Sequence, residues 1–275
     1  MSVVQIPTIR IGVVNFLNAA PLIDGIAAVD GIELVPKVPS ELIGCLERGE
    51  VDVALASSID YQRSSIDLGV LPVGVLSSDG ESLTVQLCSR VPFQQVTRVH
   101  CDSDSHASVA LLQIILQNLY GINPEIVTTN LQLMNQSDSA WPETVLMIGD
   151  KVVTSHCESE YQYTLDLGQA WKEQTGLPFV FATWFGKLDL PKSKIRKVSM
   201  LLQRQRLYNE HRIEQVVSLH ASDRGWEPTQ ALQYVTKHMN YQFTDAHHES
   251  LLLFYTLAKS CNLLQSVRPL HILNP

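Results

Sequence analysis

The chain has 275 residues, of which 45% are hydrophobic, and its formal net charge at pH 7 is -8. A chain of this length and hydrophobicity can bury a full core and is long enough for two lobes of ordinary domain size. The acidic balance argues against a nucleic-acid-binding protein, because phosphate contacts need clustered Lys and Arg side chains. The acidic net charge is still compatible with a local pocket that binds an anionic ligand.

The cysteines are scattered along the chain, odd in number and free of any CxxC spacing, so neither a disulfide framework nor a zinc site is indicated. They are Cys45, Cys88, Cys101, Cys157 and Cys261. The N-terminal residues lack the basic start and long apolar run of a signal peptide, and no segment approaches the roughly 18 apolar residues of a membrane span. We therefore expect a cytoplasmic protein with no membrane partner and no bound metal.

The first strand is predicted from residue 10 onward and ends in a polar turn that contains Asn18, with Pro21 placed for the first turn of a helix. Asn18 then lies at the carboxyl edge of a sheet, where open α/β proteins bind ligands. An amide can both donate and accept hydrogen bonds there. The alternative is a helix N-cap or turn residue that only satisfies local backbone groups.

Residues 32–38 and 51–56 read as two more strands, joined by a helix that opens at 39–41 with Ser40 as N-cap. This βαβαβ order with short connections predicts a parallel sheet. The third strand ends in Ser57 and Ser58, so two hydroxyls are expected at the same edge as Asn18.

Strands follow at 68–76 and 84–89, and the pattern restarts beyond Pro92 with a strand at 96–101 and a polar turn at 102–108 that leads into a helix. An extended return segment covers 177–184, and helices fill the rest of the chain near 193–219, 227–240 and 244–265. The sequence thus predicts an α/β protein with two lobes and a cleft between them. We expect residues 1–92 and 187–275 in lobe 1 and residues 93–186 in lobe 2.

Four polar residues of the second lobe are candidates for ligand contacts. Ser105 and Ser108 stand at a predicted helix start, where hydroxyls and backbone amides can hold a carboxylate or simply cap the helix. His106 in the same turn is either a base or anion donor or an exposed side chain. Asp150 follows a short apolar strand and either contacts ligand or caps the next turn.

Common catalytic and cofactor motifs are absent from the sequence, including the patterns GxGxxG, GxxxxGK[ST], HExxH and GxSxG. Nucleotide binding, zinc-protease chemistry and the serine-hydrolase mechanism therefore lack support. His247 and His248 are adjacent on the polar side of a predicted helix, so they point in different directions and do not suggest a metal pair.

Five segments taken together carry a family resemblance. They are "VVNFLNAAPL" (13–22), "VPSELIGCLERGEVDVALASSIDY" (38–61), "SDSHASVALLQIIL" (103–116), "LMIGDKVV" (146–153) and "DLGQAWKEQTGLPFVFATW" (166–184). In this order they resemble the chorismate dehydratase family of the futalosine route to menaquinone. The resemblance covers most of the first 185 residues, whereas the C-terminal helices match only in general character.

The resemblance implies a type II periplasmic-binding-protein-like fold in which a small-molecule carboxylate lies between two α/β lobes. The family reaction removes water from chorismate to give 3-[(1-carboxyvinyl)oxy]benzoate, without a cofactor. Asn18 and Thr84 match the family's catalytic pair, with Thr84 where the family usually has Ser. The family's S-R-T-S turn is replaced here by Ser105, His106, Ala107 and Ser108. With Ser57, Ser58 and Asp150, the three polar residues of this turn form the expected substrate-binding set.

Three other functions stay open at this stage. The sister enzyme of the same pathway acts on a cyclised futalosine derivative in a similar fold, and a pocket large enough for a sugar would favour it. A small-acid-binding protein is a second alternative, although no signal peptide is predicted. A ligand-sensing domain of a regulator is a third, but no DNA-binding segment accompanies it.

Overall fold

The computed structural model describes residues 8–102, 105–131, 141–154 and 160–274. Cys157 and residues 103 and 104 of the predicted polar turn lie outside these ranges. The strands are β1 (Ile9–Val13), β2 (Ile32–Pro36), β3 (Val53–Ser57), β4 (Leu68–Ser78), β5 (Val85–Ser89), β6 (Arg98–Asp102), β7 (Glu125–Thr129), β8 (Thr144–Ile148), β9 (Tyr163–Asp166) and β10 (Phe179–Lys187).

Helices cover the connections between strands and most of the C-terminal third. They are α1 (Ala20–Ile23), α2 (Pro39–Glu47), α3 (Asp60–Arg63), α4 (His106–Tyr120), α5 (Lys151–Thr154), α6 (Leu167–Thr175), α7 (Lys192–His211), α8 (Ile213–His220), α9 (Pro228–Gln233), a π-helix (Tyr234–His238) and α10 (Asp245–Ser260). Short 3-10 helices lie at Leu17–Ala19, Ile26–Ala28, Phe93–Gln95 and Ser222–Arg224.

The first sheet has the strand order β2-β1-β3-β10-β4. Its β1 strand pairs in parallel with both β2 and β3, as the predicted βαβαβ unit requires. Its β10 strand runs antiparallel between β3 and β4. The return segment predicted at 177–184 is therefore a central strand of this sheet, and it brings the chain back from the second lobe.

The second sheet has the order β7-β6-β8-β5-β9. Its membership corrects the predicted lobe boundaries, because β5 lies in this sheet rather than in lobe 1, and β10 lies in the first sheet rather than in lobe 2. The chain crosses between sheets after β4 and again between β9 and β10. A strand's position is visible in local periodicity, whereas its partners are chosen by hydrogen bonds to distant residues.

The first crossing ends in a turn that the carboxylate of Asp166 holds in place. This carboxylate accepts hydrogen bonds from the Ser82 backbone amide at 2.9 Å, the Ser82 hydroxyl at 2.9 Å and the Leu83 amide at 2.8 Å. Leu83 has a φ of 63°, which is costly for a residue with a Cβ. These three bonds stabilise that conformation and thereby set where Thr84, the next residue, enters β5.

Helix boundaries follow local capping chemistry with one correction. Ser105 and Asp166 are the N-caps of α4 and α6, and Gly176 ends α6 with a φ of 73°. Ser40, however, is not the N-cap of α2. That helix begins at Pro39 with Val38 in the cap position, because proline fits the first helical turn, where its missing N–H leaves no bond unmade.

Aromatic packing joins the two sheets into one continuous hydrophobic core. Trp171 of α6 packs edge-on against Phe179 of β10, with ring centroids 5.3 Å apart, and against Phe254 of α10 at 6.1 Å. The last long helix therefore packs on β10 of the first sheet and on α6 of the second lobe, and it limits how the two lobes move apart. In the described ranges, every helix is too short or too polar to cross a membrane.

His247 is buried in this core, although the sequence placed it on the polar side of its helix. Its Nδ1 atom forms a capping box with Thr244 at the start of α10, and its Nε2 atom lies 2.8 Å from the Ser77 hydroxyl of β4. Burial lowers the pKa of His247 below its usual 6.5. The folded protein therefore favours the neutral ring.

This gives a pH dependence of stability. A histidine whose pKa is lowered by folding adds stability above the unfolded pKa, and that stability is lost as the pH falls through the folded value. We expect the free energy of unfolding, measured by urea titration, to fall as the pH drops below about 6.5, and His247→Gln to reduce that slope. His248→Gln, which alters a neighbour with no side-chain hydrogen bond to β4, is the control. An unchanged slope in His247→Gln would contradict this assignment.

Candidate active site

A cleft lies between the facing edges of the two sheets, and five of the predicted site residues line it. They are Asn18, Ser57, Thr84, Ser105 and Ser108. Phe16, Phe181 and Met239 form apolar walls. The space free of atoms is about 520 Å³, narrow and partly open to solvent. An apolar cleft with a few convergent polar groups is the usual form of a small-molecule site.

Asn18 lies in the 3-10 helix that follows β1. Neither this helix nor α1 receives a side-chain capping hydrogen bond, so the N-cap alternative for Asn18 is not what the structure contains. Its amide oxygen is buried and accepts no hydrogen bond from the described part of the chain. Buried polar atoms are nearly always paired, so this oxygen marks a position suited to a ligand donor.

Thr84 lines the same cleft as Asn18 and immediately precedes β5. Its hydroxyl lies 2.9 Å from the Tyr234 hydroxyl and 3.4 Å from the Ser82 carbonyl oxygen. Its own carbonyl oxygen accepts a hydrogen bond from the Gly149 amide at 2.9 Å. Burial raises the pKa of Tyr234, while its bond to Thr84 and the Asn18 amide act in the opposite direction. Tyr234 is therefore a neutral hydroxyl that fixes the Thr84 side chain.

The serines near the start of α4 were expected to hold a carboxylate together with free backbone amides of the helix, but two of these amides are already bonded. The Ser57 hydroxyl at the end of β3 accepts a hydrogen bond from the Ala107 amide at 2.7 Å, which links the two lobes. The Ser105 hydroxyl accepts from the Ser108 amide at 3.4 Å and lies 3.1 Å from the Ser108 hydroxyl. Two amides of the helix start are thus already bonded to serine oxygens. What the turn offers a ligand is chiefly hydroxyl groups.

Ser58 and His106 lie outside the cleft lining. The Ser58 hydroxyl is buried and donates to the Val180 carbonyl oxygen at 2.7 Å, because successive residues at a strand end point to opposite faces. The Nδ1 atom of His106 lies 2.8 Å from a carboxylate oxygen of Asp60. Its side chain is 39% exposed. Both residues therefore stabilise segments next to the cleft and do not line it.

Asp150 also lies behind the cleft, where it joins two segments that shape it. Its carboxylate accepts hydrogen bonds from the Trp226 indole at 2.8 Å and from the Leu17 amide at 3.4 Å. Burial raises the pKa of Asp150, against the lowering effect of the Trp226 and Leu17 bonds. Asp150 therefore anchors the turn that carries Asn18.

Trp226 and Tyr234 were missed by sequence reasoning. Their rings stack with centroids 4.9 Å apart and an interplanar angle of 11°. Trp226 bonds to Asp150 and Tyr234 bonds to Thr84, so partners 76 and 150 residues away along the chain make them part of the site. The sequence around either residue does not indicate contacts with residues so far away in the chain. The π-helical turn that begins at Tyr234 is itself a geometry often found at functional sites.

Titratable groups are absent from the cleft lining in the described ranges, whose polar side chains there are amide and hydroxyl. In the same ranges no group of three or more His, Cys, Asp or Glu side chains is placed to hold a metal ion. The site can therefore position and polarise a ligand through neutral hydrogen bonds. A charged acid or base for a proton transfer has to come from a group other than these lining side chains.

Three solved structures resemble the whole chain. A protein of Archaeoglobus fulgidus matches with a TM-score of 0.75 and 16% identity, covering 94% of this chain and 98% of the other. The alkanesulfonate-binding protein SsuA of Xanthomonas axonopodis pv. citri, bound to MOPS, has a TM-score of 0.70, 13% identity and 94% coverage of each chain. The periplasmic aliphatic sulphonate-binding SsuA of Escherichia coli has a TM-score of 0.62, 15% identity and the same coverage. The predicted two-lobed binding-protein-like fold is confirmed.

Sequence comparison adds the family. A chorismate dehydratase of Thermus thermophilus is 28% identical over 261 residues, which cover 89% of this chain and 93% of that protein. A family model described as Menaquinone biosynthesis matches residues 9–260. This match includes both sheets, the cleft residues and the C-terminal region that contains Trp226 and Tyr234. The chain therefore belongs to the menaquinone biosynthesis family, as its motifs predicted.

Proposed function

We propose that this protein is a chorismate dehydratase that converts chorismate to 3-[(1-carboxyvinyl)oxy]benzoate and water, in the futalosine route to menaquinone. The observation that carries the proposal is a cleft whose described polar lining is neutral and includes both the buried Asn18 oxygen and the Thr84 hydroxyl. The similar chorismate dehydratase of Thermus thermophilus supports the choice of substrate. A cytoplasmic location fits such a biosynthetic enzyme and is part of the proposal.

The reaction suits a site without a charged base. The ring hydrogen beside the ether oxygen of chorismate is acidic because it is vinylogous to the ring carboxylate. Its loss, with departure of the neighbouring hydroxyl, makes the ring aromatic and supplies most of the driving force. The enolpyruvyl carboxylate of the substrate takes this proton, and the proton leaves with the hydroxyl as water. The protein then contributes alignment and polarisation.

Each cleft residue has a role in this proposal. The hydroxyls of Ser105 and Ser108 hold the ring carboxylate. The Asn18 amide aligns the enolpyruvyl side and the leaving hydroxyl, for which its buried oxygen has free hydrogen-bonding capacity. In this role Tyr234 donates to Thr84, and on substrate binding the Thr84 proton turns from the Ser82 carbonyl oxygen, 3.4 Å away, to the leaving hydroxyl. Asp150 positions Asn18 through the Leu17 amide, and Ser57 holds the start of α4.

Similarity to the chorismate dehydratase of Thermus thermophilus favours chorismate over the larger, sugar-bearing futalosine derivative as the substrate. A small-acid-binding protein would bind chorismate and release it unchanged.

Incubation of the purified protein with chorismate is the direct test. We expect chorismate to be consumed and an equal amount of the benzoate product to appear by liquid chromatography, with no added cofactor. Heat-denatured protein is the control for spontaneous decay of chorismate. Binding of chorismate without turnover would instead support the small-acid-binding alternative, and absence of both would refute the proposal.

Asn18→Ala and Thr84→Ala should each lower kcat by roughly ten to a thousandfold, the range for lost polar positioning in a transition state. Thr84→Ser should retain activity because the hydroxyl is kept. Asn15→Ala is the matched control, since Asn15 is an exposed residue of the same turn. If Asn18 acted only in folding, Asn18→Ala would lower the melting temperature and leave turnover unchanged, at a cost of about 1 kcal/mol.

Tyr234→Phe should lower kcat by roughly tenfold while KM changes less, because it removes one bond that orients Thr84 and leaves the cleft walls in place. Tyr241→Phe provides the control. It removes a buried hydroxyl that lacks a hydrogen-bond partner in the described structure, so turnover should be unchanged. Equal turnover in Tyr234→Phe and the parent protein would show that the Thr84 hydroxyl needs no such support.

A further inference from the structure

A second cavity lies on the other side of the π-helical turn, between α7 and residues 235–242. The space free of atoms is about 780 Å³, partly open to solvent. Its lining is mixed, because Pro21, Ile213 and Val235 are apolar whereas Thr236, Asn240 and Gln242 are polar. Met239 lines both this cavity and the cleft. The two cavities are thus separated by a thin partition that belongs to one segment of chain.

Arg206 of α7 lines this cavity and is only 9% exposed. Its Nε atom is buried and has no hydrogen-bond partner among the described residues. Among the described residues its ion pair is with Glu210, at 3.5 Å from Nη1, and the Glu210 side chain is 66% exposed. A nearly buried guanidinium with an unpaired Nε donor and an exposed partner keeps part of its desolvation cost, because pairing offsets only the rest.

The position of Arg206 is well fixed. One turn later on α7, the buried Asn209 amide donates to the Pro21 carbonyl oxygen at 3.1 Å and to the Asp24 carbonyl oxygen at 2.9 Å. These bonds hold α7 against the segment that follows Asn18. A rigid guanidinium facing a cavity is well suited to a carboxylate, which it can bind through two parallel N–H bonds.

We propose that this cavity, the Arg206 pocket, binds a small aromatic carboxylate. Arg206 pairs with the carboxylate, and the apolar side chains of the lining cover the ring. Inorganic anions would gain only the first of these interactions. Nothing in the binding depends on chorismate turnover, so the two proposals stand or fall separately.

A ligand bound in the Arg206 pocket also affects the geometry of the cleft. Val235 and Met239 line the pocket, and Tyr234, at the start of the same π-helical turn, bonds to Thr84. A ligand that displaces this turn alters the position of the Thr84 hydroxyl. This second step, an effect on turnover, rests on the proposed function.

Benzoate is the probe for the test, with binding measured by isothermal titration calorimetry on the full chain. Arg206→Gln should weaken benzoate binding at least tenfold. Glu210→Gln should tighten it a few-fold, because it removes the only competing carboxylate within 4 Å of this guanidinium in the described structure. Arg204→Gln, an exposed arginine on the same helix, is the matched control and should change nothing. Sulfate should bind more weakly than benzoate.

Benzoate could instead occupy the cleft, and the variants separate the two sites. If Ser108→Ala, which removes a hydroxyl assigned to the ring carboxylate, abolishes benzoate binding while Arg206→Gln and Glu210→Gln leave it unchanged, the Arg206 pocket is refuted. Absence of benzoate binding by the parent protein also refutes it. Glu210 is exposed, so Glu210→Gln decides the question even if Arg206→Gln fails to fold.

Discussion

The site depends on the stacked, buried side chains of Trp226 and Tyr234, which we call the joint. Each of them forms a hydrogen bond to a residue on a different side of the cleft. Trp226 bonds to Asp150, and Tyr234 bonds to Thr84. Stacking fixes the distance between the rings, so the two bonds are set together. Because Asp150 also accepts from the Leu17 amide, the turn that carries Asn18 is placed by the same joint.

This joint explains how a cleft with neutral polar lining can act on a reactive substrate. Neutral hydrogen bonds gain strength when they are held rigidly in a site of low polarity, since no reorganisation is needed during the reaction. Thr84 is held from three sides, by Tyr234, by its backbone bond to Gly149 and by the Leu83 turn that Asp166 clamps. In the proposed reaction the protein contributes geometry, and the substrate contributes its own base and its drive toward aromaticity.

The fold is shared with proteins that bind small anions, including the sulfonate-binding proteins of similar structure. In this chain the lobes are also tied by the bond between Ser57 and the Ala107 amide and by the aromatic packing of α10 on β10 and α6. Such ties limit lobe movement and keep the facing groups in register. The Arg206 pocket shows that α7 and the π-helical turn enclose a second concave surface behind the first.

Local sequence determined most of the secondary structure, the parallel start of the first sheet, the family, and the placement of Asn18, Ser57, Thr84, Ser105 and Ser108 at the cleft. The family and the role of Thr84 come from the resemblance of the five motifs. The rest follows from periodicity, capping chemistry and the ends of strands, which involve residues close in the chain. Tertiary structure alone decided that β5 belongs to the second sheet and β10 to the first. It also decided that Ser58 and His106 lie outside the cleft lining and that Trp226 and Tyr234 complete the site. Those outcomes depend on hydrogen bonds and packing between residues far apart in the chain, which local patterns do not encode.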